Sequence, residues 1–170
     1  MPFHFVAQIP LFCYKLAYCF IFHPFFGTTN KRSDTMEFRT QTPLTQTDLL
    51  ALYESVGWSA YTKEPERLMR AIQQSLVVIT CWQNNQLVGL IRAIGDQETI
   101  LYIQDLLVHP DYQNQGIGQE LMTRVLTRYP HIRQKVLMTE EAPDVRHFYE
   151  ACGFHSADQG SSVAFFRFDN

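Results

Sequence analysis

The chain has 170 residues, 46% of them apolar and 14% aromatic, with a formal net charge of −3. That length supports one domain with a sizeable core, and the charge, with no Lys/Arg cluster to offset it, excludes an electrostatic footprint for nucleic acid. Cys13, Cys19, Cys81 and Cys152 lack metal-type C-x-x-C spacing and read as unpaired thiols of a reduced, cytoplasmic protein; His109, His131, His147 and His155 are scattered, so no metal is implied.

Residues 1–35 differ in kind from the rest. From Phe3 to Phe26 they are crowded with Phe and Tyr and carry no acidic residue. An apolar run of roughly 20 residues is long enough to cross a membrane. Lys15 near its centre and Pro10 in its first turns oppose that reading, and no small-residue cleavage site supports a signal peptide. The segment is therefore read as an N-terminal extension outside the domain: upstream translated sequence, a disordered arm or a weak membrane segment. Met36 is then the natural start and the domain covers 36–170, because Met36-Glu37-Phe38-Arg39-Thr40 already reads as a first strand.

Thr45 and Asp48 form a Thr-x-x-Asp helix start resembling a capping box, and Leu49, Leu50, Leu52, Tyr53 and Val56 supply one apolar face before Gly57. Pro65, a good first-turn residue, begins a second helix through Leu68, Met69 and Ile72 to Ser75. Leu76–Trp82 is rich in β-branched residues, Asn84-Asn85 turns the chain, and Gln86–Ile94 returns it as a hairpin. Asp96-Gln97 makes the next turn and Thr99–Val108 the next strand.

That strand stops at His109-Pro110-Asp111, and a polar loop carrying Gly116 and Gly118 opens into Leu121, Met122, Val125 and Leu126, spaced for one helix face. The missing side chains let a ligand approach the main chain, and the unpaired N–H groups and dipole at the helix start suit a phosphate or pyrophosphate. A plain flexible turn is the competing reading. The loop is neither the three-glycine dinucleotide fingerprint nor a P-loop, since no Lys-Ser/Thr follows. Beyond it, Lys135–Met138 reads as a short strand, and Pro143 and Asp144 start a helix through Val145, Phe148 and Tyr149 that Gly153 closes. Phe154 and 162–168 are expected to complete the sheet.

Val108-His109-Pro110-Asp111-Tyr112 followed by Gln113 through Gly118 resembles the Gln/Arg-x-x-Gly-x-Gly/Ala loop of the GNAT superfamily of acetyltransferases, and Phe148-Tyr149-Glu150-Ala151-Cys152-Gly153-Phe154 resembles its second signature. The resemblance implies an α/β (α+β) fold with a central mixed, mostly antiparallel sheet flanked by helices on both faces. It also implies that the amides of Gln113, Asn114, Gln115, Gly116, Ile117 and Gly118 hold the pyrophosphate of acetyl-coenzyme A. Backbone N–H groups near Leu107 and Val108, where the strand splays from its neighbour in this family, would grip the pantetheine arm. Tyr149 would stand beside the cofactor sulfur as general acid, its phenol neutral at pH 7 and able to donate to a developing thiolate. The two early helices fall where the family has its substrate-side lid, so Trp58 and Tyr61 either wall the substrate site or pack those helices together. Leu52–Trp58, Pro65–Leu68, Ala71–Ser75 and Ile103–Val108 look like the branch of plant chloroplast serotonin N-acetyltransferases and their bacterial relatives, although Gln104 stands where an aromatic is common.

The proton acceptor is read from residue type. Asp105 lies in an otherwise apolar strand, where a carboxylate is costly unless solvated, paired or used, and it is expected to serve as base or amine anchor. Simple alternation puts Tyr102, Gln104 and Leu106 on one face and Ile103, Asp105 and Leu107 on the other, unless a bulge shifts the phase. Glu140 and Glu141, with Asp144, are the fallback, as an acidic edge that attracts a cationic amine or as a merely solvated edge. Trp58, Tyr61, Gln104 and Glu141 are the expected substrate residues. The expected activity is direct acetyl transfer from acetyl-coenzyme A to a primary amine of a small molecule. A protein lysine or N-terminal amine as acceptor, or a non-catalytic acyl-coenzyme A sensor, are the alternatives. Homodimerisation through Phe165, Phe166 and Phe168 is a further possibility.

Overall fold

The computed structural model describes residues 35–160 and 163–168. The extension read over 1–35 therefore lies, apart from Thr35, outside the described residues. From Glu37 the elements run β1 Glu37–Thr40, α1 Gln46–Ser55, α2 Ser59–Thr62, α3 Pro65–Gln73, β2 Val77–Gln83, β3 Gln86–Gly95, β4 Ile100–Val108, α4 Ile117–Arg128, β5 Gln134–Leu137 and α5 Pro143–Ala151. The sheet order is β1-β2-β3-β4-β5. The first four strands pair antiparallel, and β5 joins β4 in parallel.

Local chemistry explains most boundaries. The Thr45 side chain caps α1 by accepting from the Asp48 N–H, as a capping residue does. Asn84 and Asn85 both have positive φ, 50° and 64°, the conformation of a type I′ hairpin turn that asparagine tolerates. At the next turn the Asp96 carboxylate accepts from the backbone N–H groups of Glu98, Thr99 and Ile100.

Two apolar layers cover the sheet, one on each face. On one, Ile117, Leu121, Met122 and Val125 of α4 pack on Val88, Ile91, Ala93, Leu101 and Ile103. On the other, Leu49, Leu52 and Tyr53 of α1 and Leu68 and Ile72 of α3 pack on Val78, Leu90 and Leu107. Burial of each such side chain contributes about 1.5–3 kcal/mol. Helix α4 comes close to the sheet at Gly89, where an added Cβ would lie 2.9 Å from Ile117 Cγ2 and 3.2 Å from Leu121 Cδ1.

The end of the chain departs from expectation. Phe154 is not a strand residue. Its N–H bonds the Tyr149 carbonyl at 3.0 Å while Gly153, at φ 87°, bonds Glu150. These two bonds make a Schellman cap on α5, so the residue is spent on ending a helix. Residues 163–168 form no strand either among the described residues, and Val163, Phe165, Phe166 and Phe168 are 74%, 94%, 67% and 81% exposed. High β-propensity does not make a strand where no neighbouring strand shares a ladder.

Gly89→Val is expected to push α4 away from β3 and cost about 1–3 kcal/mol, the usual penalty of overpacking. The midpoint of urea unfolding measures it, and an unchanged midpoint would mean that the helix seat is looser than described.

Candidate active site

The site grows from an irregularity in the β3–β4 pair. Arg92 faces Asp105 but the next pair is Ala93 with Ile103, which leaves Gln104 as the extra residue of a bulge. The bulge shifts the phase of β4. Leu101 and Ile103 belong to the layer under α4, whereas Leu107 belongs to the opposite layer and Leu106 and Val108 pack on the α4 side. Simple alternation therefore holds only up to Ile103. Beyond it, Gln104 reaches Tyr61 of α2, and Asp105 reaches both Tyr61 and Tyr53 of α1.

Asp105 is 1% exposed and Arg92 6%. The Arg92 Nε–H donates to Asp105 Oδ2 at 2.5 Å, Tyr53 Oη donates to the same oxygen at 2.7 Å, and Tyr61 Oη donates to Oδ1 at 3.1 Å. Gln104 Nε2 donates in turn to Tyr61 Oη at 3.1 Å. Burial alone would weaken the Arg92 guanidinium, but the hydrogen bond and charge of Asp105 outweigh it and its pKa rises. Burial and then the Asp105 charge push the phenols of Tyr53 and Tyr61 up, so both stay protonated. Removing either partner of such a buried pair costs about 3–5 kcal/mol. Trp58 stacks on Tyr61, with ring centroids 5.7 Å apart and planes 25° from parallel, and Tyr53 packs against both rings. Trp58 and Tyr61 do pack the two early helices, in the layer of Leu52 and Leu68.

Past the bulge, β4 has no ladder with β5: the parallel pairing ends at Ile103 with Leu137. The edge of β4 carrying Leu107 and Val108 thus parts from its neighbour. The loop that follows is braced by its own side chains. Gln113 Nε2 donates to the Val108 carbonyl at 3.2 Å, Gln115 Nε2 to the Asp111 carbonyl at 3.3 Å, and the His109 N–H to Val88 at 2.9 Å. Asn114 and Gly116 take positive φ, 60° and 80°. Gly116 is the N-cap of α4 without a side-chain cap, and the first N–H groups of a helix have no intrahelical acceptor. An added Cβ at Gly116 would meet nothing within 4 Å, while one at Gly118 would meet Phe148 at 3.5 Å and Val108 at 3.7 Å. The space at Gly116 is thus open, that at Gly118 is bounded by Phe148 and Val108, and the dipole favours an anion at the uncapped helix start. A pyrophosphate fits this cradle.

On α5, Tyr149 packs against Phe148 and Phe154 and against the layer under α4. Burial, opposed by a hydrogen bond with Thr139, raises its pKa. Phe148, its neighbour in sequence, is the side chain that faces Gly118, so α5 and the loop meet there. The acidic edge is partly consumed. Glu141 is paired with Arg146 at 2.5 Å, and Arg146 also holds Asp158 at 3.2 Å. Glu140 and Asp144 are exposed. Arg92 and Tyr53 are the partners that the sequence reading passed over; a lone arginine in the apolar run Leu90-Ile91-Arg92-Ala93 was the available signal, matching the lone carboxylate of the next strand. Among the described residues no helix is long and apolar enough to cross a membrane, and no group of three His, Cys, Asp or Glu side chains could hold a metal.

Residues 49–168 match the sequence profile of the acetyltransferase (GNAT) domain. An uncharacterized N-acetyltransferase of the ycf52-like type from Prochlorococcus marinus is 34% identical over 124 residues, which is 69% of this chain and 67% of that one. The chloroplastic GCN5-related N-acetyltransferase 3 of Arabidopsis thaliana is 30% identical over 127 residues, 66% of this chain and 50% of that protein. The chain thus spans between half and two thirds of the length of these curated relatives. Among solved structures, a GNAT family acetyltransferase from Streptococcus pneumoniae superposes with a TM-score of 0.72 at 32% identity, over 79% of this chain and 98% of the other. Sheet order, splayed strand, glycine loop and profile agree: the chain belongs to the GNAT family of acetyltransferases.

Proposed function

We propose that the chain transfers the acetyl group of acetyl-coenzyme A directly to the primary amine of a small molecule, in the manner of the branch that contains the plant serotonin N-acetyltransferases. The observation that carries the reading is the uncapped start of α4 at Gly116, where an added Cβ would meet nothing within 4 Å, beside the parted edge of β4. When bound, acetyl-coenzyme A supplies a thioester carbonyl for the amine to attack and a thiolate to depart. The loop amides from Gln113 to Gly118 bind the pyrophosphate, and the backbone of Leu107 and Val108 orients the arm. Tyr149 Oη holds the proton that the departing sulfur takes and regains it from solvent. Raised by burial, its phenol keeps that proton through neutral and moderately alkaline pH.

Of the two roles expected for Asp105, anchor and base, we assign the anchor, exerted through its tyrosine donors and not by contact with the amine, because both its oxygens are already occupied by donors. Glu141 is given no direct part, since Arg146 holds it. A protein lysine as acceptor is the second reading. It is favoured by a Glycine max relative named as a histone acetyltransferase, 27% identical over 124 residues and about half covered by this chain. A neighbour of known structure, an aminoglycoside acetyltransferase with sisomicin bound, shares the fold at 18% identity and a TM-score of 0.60. Our reading places the protein in the cytoplasm, with the chloroplast, named for the Arabidopsis relative, as the competing location. Self-association through Phe165, Phe166 and Phe168 is proposed on their exposure.

Tyr149→Phe is expected to lower kcat about 100-fold, the low end of acid–base catalysis, and to leave the acetyl-coenzyme A Kd unchanged by calorimetry; undiminished turnover would remove Tyr149 as the acid. The sign of its shift sets a pH expectation as well. A phenol raised above the ordinary value of about 10 stays protonated longer, so the alkaline limb of kcat is expected above pH 10, and a limb below that would assign it to another group. Gly116→Glu, which puts a carboxylate into the open space over the amides, is expected to abolish cofactor binding, and retained binding would show that the loop holds no pyrophosphate.

A further inference from the structure

The buried cluster at the bulge contains more than an anchor requires. Asp105 takes Arg92 and Tyr53 on Oδ2 and Tyr61 alone on Oδ1. The Tyr61 proton is thereby committed to Oδ1. A phenolic oxygen carries one donor and acceptor lone pairs. Gln104 Nε2 fills one acceptor position on Tyr61 Oη, which leaves another. Tyr61 is half-buried and sits on α2, a four-residue helix with no buried residue, so its ring borders solvent. Stacking against Trp58 and contact with Tyr53 fix the ring plane. Gln104, its donor, is the first β4 residue beyond the last pairing with β5, where the two strands part.

We propose, on the reading that this is an amine acetyltransferase, that the remaining lone pair of Tyr61 Oη accepts an N–H of the incoming amine, and that Arg92 and Asp105 are positioning residues that fix the direction of the Tyr61 hydroxyl. The relay is polar in one sense only. Arg92 donates to Asp105, Asp105 accepts the Tyr61 proton, and the phenol oxygen is left to accept; each bond polarises the next. The phenols of Tyr53 and Tyr61 are both raised by burial and by Asp105, which agrees with their remaining donors. Asp105 does not receive the amine proton. Protonating it would leave Arg92 buried without its counter-charge. The proton passes to water, the amine nitrogen forms its bond to the acetyl carbon, and the C–S bond breaks with Tyr149 Oη protonating the sulfur.

The same relay holds three elements together, because α1 gives Tyr53, α2 gives Tyr61 and β3 gives Arg92 to one carboxylate. Acceptor binding is therefore coupled to the seating of the lid helices on the sheet. An ion pair needed for packing alone is replaceable by apolar side chains at little cost; one that aims a hydroxyl is not.

Thiol release from acetyl-coenzyme A is measured across arylalkylamines, polyamines, aminoglycosides and lysine peptides for the wild-type chain, Tyr61→Phe, Asp105→Asn, Arg92→Gln and Arg92→Lys. Tyr61→Phe keeps the ion pair and is the variant that folds most safely; urea unfolding checks all of them. Loss of one hydrogen bond to a charged donor corresponds to about a 10- to 100-fold rise in KM for the amine. Tyr61→Phe and Asp105→Asn are expected to show that rise, with kcat within about threefold and the acetyl-coenzyme A Kd unchanged. Arg92→Lys, which keeps the counter-charge, is expected to restore most of the amine affinity that Arg92→Gln loses. A folded Tyr61→Phe with unaltered amine KM overturns the proposal, as does an Asp105→Asn whose kcat collapses at unchanged KM, the behaviour of a proton acceptor. Both leave the acetyl-transfer reading standing. A wild-type chain that binds acetyl-coenzyme A and acetylates nothing overturns both.

Discussion

The Arg92–Asp105 pair is the constraint around which the fold arranges itself. Two charges removed from water are tolerable only when each finds the other and the remaining lone pairs are filled. The bulge at Gln104 makes this possible. With regular alternation Asp105 would share a face with Ile103, in the apolar layer under α4, away from Tyr53 and Tyr61. One extra residue turns the carboxylate toward Tyr53 and Tyr61 and sends Val108 to the α4 side, against Gly118. A single backbone irregularity thus sets both the acceptor side and the cofactor side of the site, because a one-residue change of phase moves every later side chain to the other face.

The loop after β4 divides its labour between side chains and main chain. Gln113 and Gln115, whose backbone amides the family resemblance implies as pyrophosphate ligands, use their side-chain amides to brace the loop. What remains for an anion is the peptide N–H set at the start of α4, whose direction backbone geometry controls. That geometry depends on Gly89 as well, since α4 can rest so close to β3 only where a side chain is missing. Tyr149 is placed by a different device, the helix-ending cap of Gly153 and Phe154, which folds Phe154 back onto it.

Features written in contiguous residues were legible in the sequence. The capped start of α1 at Thr45, the Asn84-Asn85 turn and the strand, glycine loop and helix from Ile100 to Arg128 all stand where periodicity and turn chemistry put them. Asp105 was flagged by the cost of a carboxylate in an apolar strand, but its partners were not, because they come from 13, 44 and 52 residues away on three other elements. Gly57–Tyr61, expected to wall the substrate site or to pack the early helices, leads into a further helical turn, α2, that carries Tyr61. The closing strands were misread because β-branched and aromatic composition reports a preference for a pleated surface and says nothing of whether a neighbour is present to share hydrogen bonds. Phe154 shows the competing force, a helix cap that claims its N–H first.

The parallel pairing of β5 with β4, the only one among the described residues, has a kinetic meaning. Strands β2, β3 and β4 follow one another through short turns, so their ladders close small loops. The β4–β5 ladder has four residue pairs and must wait for the whole of the loop and α4 to be in place. Contacts that close longer loops are paid for later in folding, so this seam, like the β1–β2 ladder, forms after the two hairpins. The cleft that parts beyond Ile103 thus takes its shape after the hairpins do, and a ligand that bound only the closed seam would stabilise it by mass action.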